Sequence, residues 1–298
     1  GMLLLLCATI LFSSMHALIR HVGEAQHPFE MAFFRNLFGI IVLAPFFMRY
    51  GFGTLLLLPM VLRLQKSDFE PKLVAGHFLR GFVHAFSVLL WFYAVTKISL
   101  ADLTALSFTS PVFVTLGAFI FLAEKFSYRR LGGIIFAFIG AVVVLRPGIE
   151  AISIGAIAIL VASPFQAASS LLGKHLVRYT SIYAMVFYLS LFVTLVSLVP
   201  TMFVWSTPSL HTCAMTFAAA VMATLAHFCW SKSFQIADLS FTQPGYYFTL
   251  LWAVAIGYFI YGEVPDIWSG AGAAIIIAST AYIAARERQE ARRAAEGT

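Results

Sequence analysis

Apolar residues along this chain come in runs of about twenty, each long enough to cross the ~30 Å hydrocarbon layer of a bilayer as a helix. Ten runs are legible, at about residues 2–20, 29–49, 73–95, 99–122, 128–146, 152–173, 181–204, 210–232, 239–261 and 266–285. The stretch TLLLLPMVLRL at 54–64 is apolar but too short to span, carries Pro59 and Arg63, and reads as loop. None of the runs alternates with the two-residue period of a membrane β-barrel, and a helix satisfies its own backbone in lipid. The pattern predicts an all-α polytopic membrane protein of ten transmembrane helices. The first run, GMLLLL, has no basic leader and no small-residue cleavage site, and reads as a retained helix rather than a signal peptide.

Charge tests the count of spans. Cytoplasmic loops collect Lys and Arg. Of the 19 basic residues, Arg49, Arg63, Lys66, Lys72, Lys125, Arg129, Arg130, Lys174, Arg178, Lys232, Arg286, Arg288, Arg292 and Arg293 fall on one side, whereas Arg20, Lys97 and Arg146 fall on the other. Arg35 and Arg80 lie within spans. We refer to the two sides as the basic end and the low-charge end. The asymmetry predicts that both termini are cytoplasmic and that residues 286–298 form a basic tail against the lipid surface. The net charge of +6 is thereby assigned to the membrane, and no nucleic-acid partner is expected. Overall composition agrees, with 61% hydrophobic and 11% charged residues and a mean hydropathy of +0.90. Cys7, Cys213 and Cys229 all lie in apolar runs without paired spacing, so neither a disulfide nor a metal site is expected, nor any cofactor.

Ten spans divide into five and five, and an odd number of crossings forces the second half to enter the membrane from the opposite side. Residues 1–148 and 149–285 are the expected halves of this inverted repeat. Trp91 and Trp230, Leu100 and Leu239, Glu124 and Glu263, and Gly133 and Gly272 are each 139 positions apart.

The FFRN stretch around Arg35, LSFTSPVFVTLGAFIFLAEKFS, GGIIFAFIGAVVVLRPG, QPGYYFTLLWAVAIGYFIYGEVPD and SGAGAAIIIAS occur in an order that resembles the EamA-type branch of the drug/metabolite transporter superfamily. The likeness covers nearly the whole chain. It implies a five-plus-five helical bundle in the bacterial cytoplasmic inner membrane that exports amino acids, with aromatic amino-acid exporters most alike, or related metabolites by alternating access. The 54–72 loop is longer and more apolar than the family's usual connection.

Polar groups left in hydrocarbon mark the bundle interior or a water-filled path. In span three His77, Arg80, His84, Ser87 and Trp91 recur at steps of three and four, as do Thr104, Ser107, Pro111 and Thr115 in span four, beside Ser110. Ser163, Gln166 and Ser170 do so in span six, and Ser13, His16 and Arg20 in span one. His227 and Trp230 in span eight, and Gln243, Tyr246 and Tyr247 in span nine, complete a candidate lining. The substrate-binding candidates are His84, Trp91, Ser107, Ser110, Gln166, Ser170, His227, Trp230, Gln243, Tyr246 and Tyr247. Each hydroxyl has the alternative of bonding back to its own helix. Arg80, about 10 Å from its span end, reads as an anchor or gate element at the basic end.

No Asp or Glu lies at mid-membrane, so coupling falls either to a facilitated carrier or to protons on His84 or His227. Neither HExxH nor GxSxG occurs, which disfavours an intramembrane enzyme, and there is no ring of charges or filter-like repeat for a channel. Gly132, Gly133, Gly140, Gly270 and Gly272 allow close helix approach, within a monomer or in a weak homodimer. Pro111 and Pro244 each remove a backbone donor and predict kinks in spans four and nine, 133 rather than 139 residues apart and hence at different depths.

Overall fold

In the computed structural model the described residues are 2–23, 25–47, 69–110, 112–114, 116–117, 128–145, 153–176, 179–180, 182–236 and 248–296. They form ten helices, and no strand occurs among them. In chain order these are α1 (Met2–Val22), α2 (Pro28–Phe47), α3 (Pro71–Val95), α4 (Leu100–Ser107), α5 (Tyr128–Leu145), α6 (Ile154–Leu176), α7 (Ile182–Met202), α8 (Leu210–Ile236), α9 (Phe248–Tyr261) and α10 (Ile267–Glu296). By length and composition alone, α3 and the Ile154–Gly173 part of α6 qualify as membrane-crossing helices, and seven further described stretches are shorter apolar helices. The apolar loop at 54–64 lies outside the described residues.

Helix ends follow local chemistry. Pro71 opens α3 at a position where a missing N–H costs nothing. Ser99 caps α4 by accepting from the N–H of Asp102 at 3.0 Å. Gly262, at φ +66°, ends α9 in the left-handed conformation that a Cβ disfavours. Two spans differ from expectation. Helix α10 does not stop near 285 to leave a separate tail but continues to Glu296, because AARERQEARRAAE is rich in strong helix formers with opposite charges one turn apart. The regular part of α4 ends at Ser107, where Phe108 and Thr109 bond to carbonyls three residues back, at 3.2 and 3.0 Å.

The helices pack across the halves. Helix α1 packs most extensively on α8, α3 on α6, and α5 on α10, with α2 on α7 and α4 on α9. Exchanging each helix for its counterpart five places along maps these contacts onto themselves, as two repeated halves require. The helix bounds also sharpen the repeat frame. Helices α6 and α7 end and begin 154 positions after α1 and α2, whereas α8 and α10 begin 139 positions after α3 and α5. The frame therefore shifts at the long connection between α2 and α3. Two aromatic contacts verify it: Phe78 of α3 meets Phe192 of α7 edge to face at 5.4 Å, and Phe217 of α8 meets Phe38 of α2 in the same way at 5.8 Å. Phe78 and Phe217 are 139 apart, and Phe38 and Phe192 are 154 apart. The largest apolar core cluster draws residues from α1, α2, α3, α4, α5, α6, α8, α9 and α10, and so spans both halves.

Close approach at the α5–α10 crossing depends on two glycines. A Cβ on Gly140 would lie 2.9 Å from the carbonyl oxygen of Gly272, and one on Gly272 would lie 2.6 Å from that of Gly140. Nothing lies within 4 Å of the corresponding positions on Gly132 and Gly270.

Candidate functional site

The polar stripe of α3 faces several neighbours in turn, two of them from the other half. His77 stacks on Tyr188 of α7 at 4.8 Å. Arg80 donates from Nη1 to the carbonyl of Met185 in α7 at 3.2 Å, and its guanidinium lies against Gly173 of α6, where a Cβ would fall 3.1 Å from Nε. Arg80 thus links α3 to α6 and α7 across the seam. Ser87 donates to Oε1 of Gln166 in α6 at 3.3 Å. The Trp91 ring lies 4.3 Å from the His16 ring of α1. His84, half-buried, stands on the same stripe between Arg80 and Ser87.

Several hydroxyls bond back to their own helices. Ser107 donates to the Leu103 carbonyl at 2.7 Å, Ser163 to Ile159 at 3.1 Å, and the exposed Ser170 to Gln166 at 2.9 Å. Ser110 is half-buried at the end of the irregular part of α4. Pro111 lies outside the described residues, yet the ladder is broken just before it. There the hydroxyls of Thr109 and Ser163 approach to 3.0 Å, and Ser163 precedes Pro164 inside α6. The irregular end of α4 and the proline-bearing turn of the continuous helix α6, from opposite halves, meet at this point. The counterpart contact joins α1 and α9: Trp252 donates its indole N–H to Thr9 at 3.1 Å, and Ser13 donates to the Thr249 carbonyl at 3.3 Å. Thr9 and Ser163 occupy equivalent positions, 154 residues apart.

His227 and Trp230 lie on α8, but their side chains are outside the described set, as are Gln243, Pro244, Tyr246 and Tyr247 altogether. The structure therefore joins Ser87 to Gln166 and Trp91 to His16, turns Ser107 and Ser170 back onto their own helices, and does not describe the side chains of spans eight and nine named above. Among the described residues no group of His, Cys, Asp or Glu could hold a metal.

Two polar networks close the low-charge end, and sequence reading missed both. Glu263, turned back over its own helix by Gly262, forms an ion pair with Arg20 of α1 and accepts from the Leu100 N–H at 3.2 Å, a carboxylate placed at the N-terminus of α4. Arg20 also lies over the Tyr261 ring at 4.8 Å, and Tyr261 donates to the Ala17 carbonyl at 2.6 Å. Glu30, fully buried, is hydrogen-bonded by the Gln26 amide and by the backbone N–H of Ser206, and at 3.0 Å by the Ser206 hydroxyl. The signal for the first network was the glutamate repeat; the second had none, because its partners are 176 residues apart.

A separate apolar groove of about 490 Å³ runs between α5 and α10, lined by Gly133, Phe136, Ser279 and Tyr282 among others. It lies on the exposed face rather than at the polar seam.

A helical bundle of two repeated halves, with polar side chains meeting where those halves join, has the architecture of a secondary transporter. The chain belongs to the EamA-like transporter family, whose profile matches it twice, over residues 1–146 and 153–285. Members of this family are integral membrane proteins of the bacterial inner membrane, and its named relatives are transporters rather than enzymes. The S-adenosylmethionine uptake transporter of Rickettsia conorii is 31% identical over 270 residues, covering 91% of this chain and 87% of the relative. The riboflavin transporter of Vibrio cholerae is 31% identical, covering 82% and 83%. The pseudopaline exporter CntI of Pseudomonas aeruginosa is 26% identical, covering 93% of each. One crystal structure superposes with a TM-score of 0.61 at 15% identity, over 96% of this chain and 97% of that one, which shows the shared fold.

Proposed function

We propose that this protein moves an amphiphilic metabolite with an amino-acid-like end across the cytoplasmic membrane by alternating access, both termini being cytoplasmic. The observation that carries the reading is the seam itself, where polar side chains of α3 meet α6 and α1. There Trp91 and His16 offer flat surfaces, and Ser87, Gln166 and His84 offer hydrogen bonds. The apolar part of the substrate lies against Trp91 and the aromatic residues of span nine, and its polar end meets hydroxyl, amide and imidazole groups. Ser107, Ser110, Ser170, His227, Trp230, Gln243, Tyr246 and Tyr247 complete the proposed lining, with Arg80, Pro111 and Pro244 governing how the helices move.

The relatives widen the expected class. Their named cargoes include S-adenosylmethionine, which bears an amino-acid group, and riboflavin, which does not; the reading here keeps to amino acids and metabolites that bear such a group, without a fixed direction. Uptake and counterflow of radiolabelled S-adenosylmethionine and tryptophan in proteoliposomes test this: a carrier accelerates label entry when unlabelled substrate is preloaded. Absence of counterflow for every such compound would overturn the proposal.

A further inference from the structure

We infer that Arg35 is the carboxylate-binding residue of the substrate site, working with the His16–Trp91 pair; the inference rests on the transport reading above and specifies its substrate class. Arg35 lies on α2 about 10 Å in from the low-charge end, a depth at which a cation needs a partner or an escape to the surface. Among the described residues its guanidinium has no carboxylate partner. Among the described residues, Nη1 donates to Oδ1 of Asn36 at 2.9 Å, Nη2 reaches the thioether of Met15 at 3.9 Å, and the buried Nε–H has no acceptor. The carboxylate nearest in sequence, Glu30, is committed to Gln26 and Ser206.

The distribution of these bonds matters more than their number. Nε and Nη2 form one edge of the planar guanidinium, the edge that matches the two oxygens of a carboxylate in parallel hydrogen bonds. That edge carries only a weak sulfur acceptor. The opposite corner is fixed, because the Asn36 amide donates to the Ala32 carbonyl at 2.7 Å and so holds Oδ1 toward Nη1. The cation is therefore oriented and its recognition edge is in reserve. Met15, which faces that edge, adjoins His16, whose ring lies 4.3 Å from Trp91. Three helices thus bring a guanidinium, an imidazole and an indole to one region. A ligand with a carboxylate at one end and a flat or apolar body at the other meets both requirements.

The test compares acids with their decarboxylated amines: S-adenosylmethionine with decarboxylated S-adenosylmethionine, and tryptophan with tryptamine, each as a competitor and as a labelled substrate in proteoliposomes. Wild-type protein is expected to prefer the acid of the transported pair by about tenfold or more, the range of a charge-assisted pair of hydrogen bonds. Arg35→Gln is expected to abolish that preference while the amine is handled as before. Arg35→Lys keeps the charge but loses the bidentate edge, so it should retain the fold and show a reduced preference. A parallel loss for acid and amine in both variants would indicate a structural role and overturn the inference. So would equal handling of acid and amine by wild-type protein, which leaves the transport reading standing. Failure of wild-type protein to take up any of the four compounds overturns that reading and the inference together.

Discussion

Arg20 at the end of α1 and Glu263 just beyond α9 form an ion pair that joins the first and second halves of the chain at the low-charge end. The same carboxylate accepts from the first N–H of α4, so one side chain ties three helices. Glu263→Ala is expected to lower the melting temperature in detergent more than Glu263→Gln, because glutamine keeps an acceptor for Leu100. A loss of about 1–3 kcal/mol for alanine is in the range of a partly buried charged hydrogen-bond acceptor. Equal melting of the two variants would show that the ion pair, not the α4 contact, dominates. In the shifted repeat frame Lys174 and Glu124 are the sequence counterparts of Arg20 and Glu263, although both side chains lie outside the described residues.

Glu30 holds the 203–209 connection to the start of α2. Removing its carboxylate in Glu30→Ala leaves the buried Ser206 N–H without its acceptor, whereas the Gln26 amide keeps the Ser206 carbonyl and hydroxyl at 3.1 and 2.9 Å, at a cost of about 1–3 kcal/mol. Hydrogen exchange should accelerate at Ser206 and its neighbours before it changes in α2. Unchanged protection at Ser206 would contradict the assigned bonds.

At the α5–α10 crossing, glycine substitutions should divide by position. Gly140→Ala and Gly272→Ala push a methyl into the opposing backbone and are expected to destabilise by about 1–3 kcal/mol. Gly132→Ala and Gly270→Ala meet nothing within 4 Å and should be neutral or stabilise by up to about 1 kcal/mol through helix propensity. Thermal melts of the four single variants check the division.

The His16–Trp91 contact predicts energetic coupling between α1 and α3. A double-mutant cycle with His16→Ala and Trp91→Ala should give about 0.5–1.5 kcal/mol, as for other aromatic pairs. Both single variants should also reduce metabolite uptake. Additive stabilities would mean that the rings merely adjoin.

Much of the architecture was legible because lipid leaves few choices: an apolar run of twenty residues must be a helix, and the basic residues sort the connections. The candidate lining was legible as a stripe, since His77, Arg80, His84, Ser87 and Trp91 share one face of a helix. What each member touches was not. His77, Arg80, Ser87 and Trp91 meet α7, α7, α6 and α1 respectively, and helical period carries no information about neighbours 79 or 105 residues away.

The sequence by itself determined the helices and the duplication, since both follow from hydropathy and spacing along one chain. Only the tertiary structure decided that the repeat frame shifts from 154 to 139, that Gly140 rather than Gly132 permits the α5–α10 crossing, and that Glu263 pairs with Arg20. It also decided that Arg35 keeps one donor edge nearly unspent. These depend on which faces of distant helices meet, and that is fixed by packing complementarity across the halves, a property that no local pattern encodes.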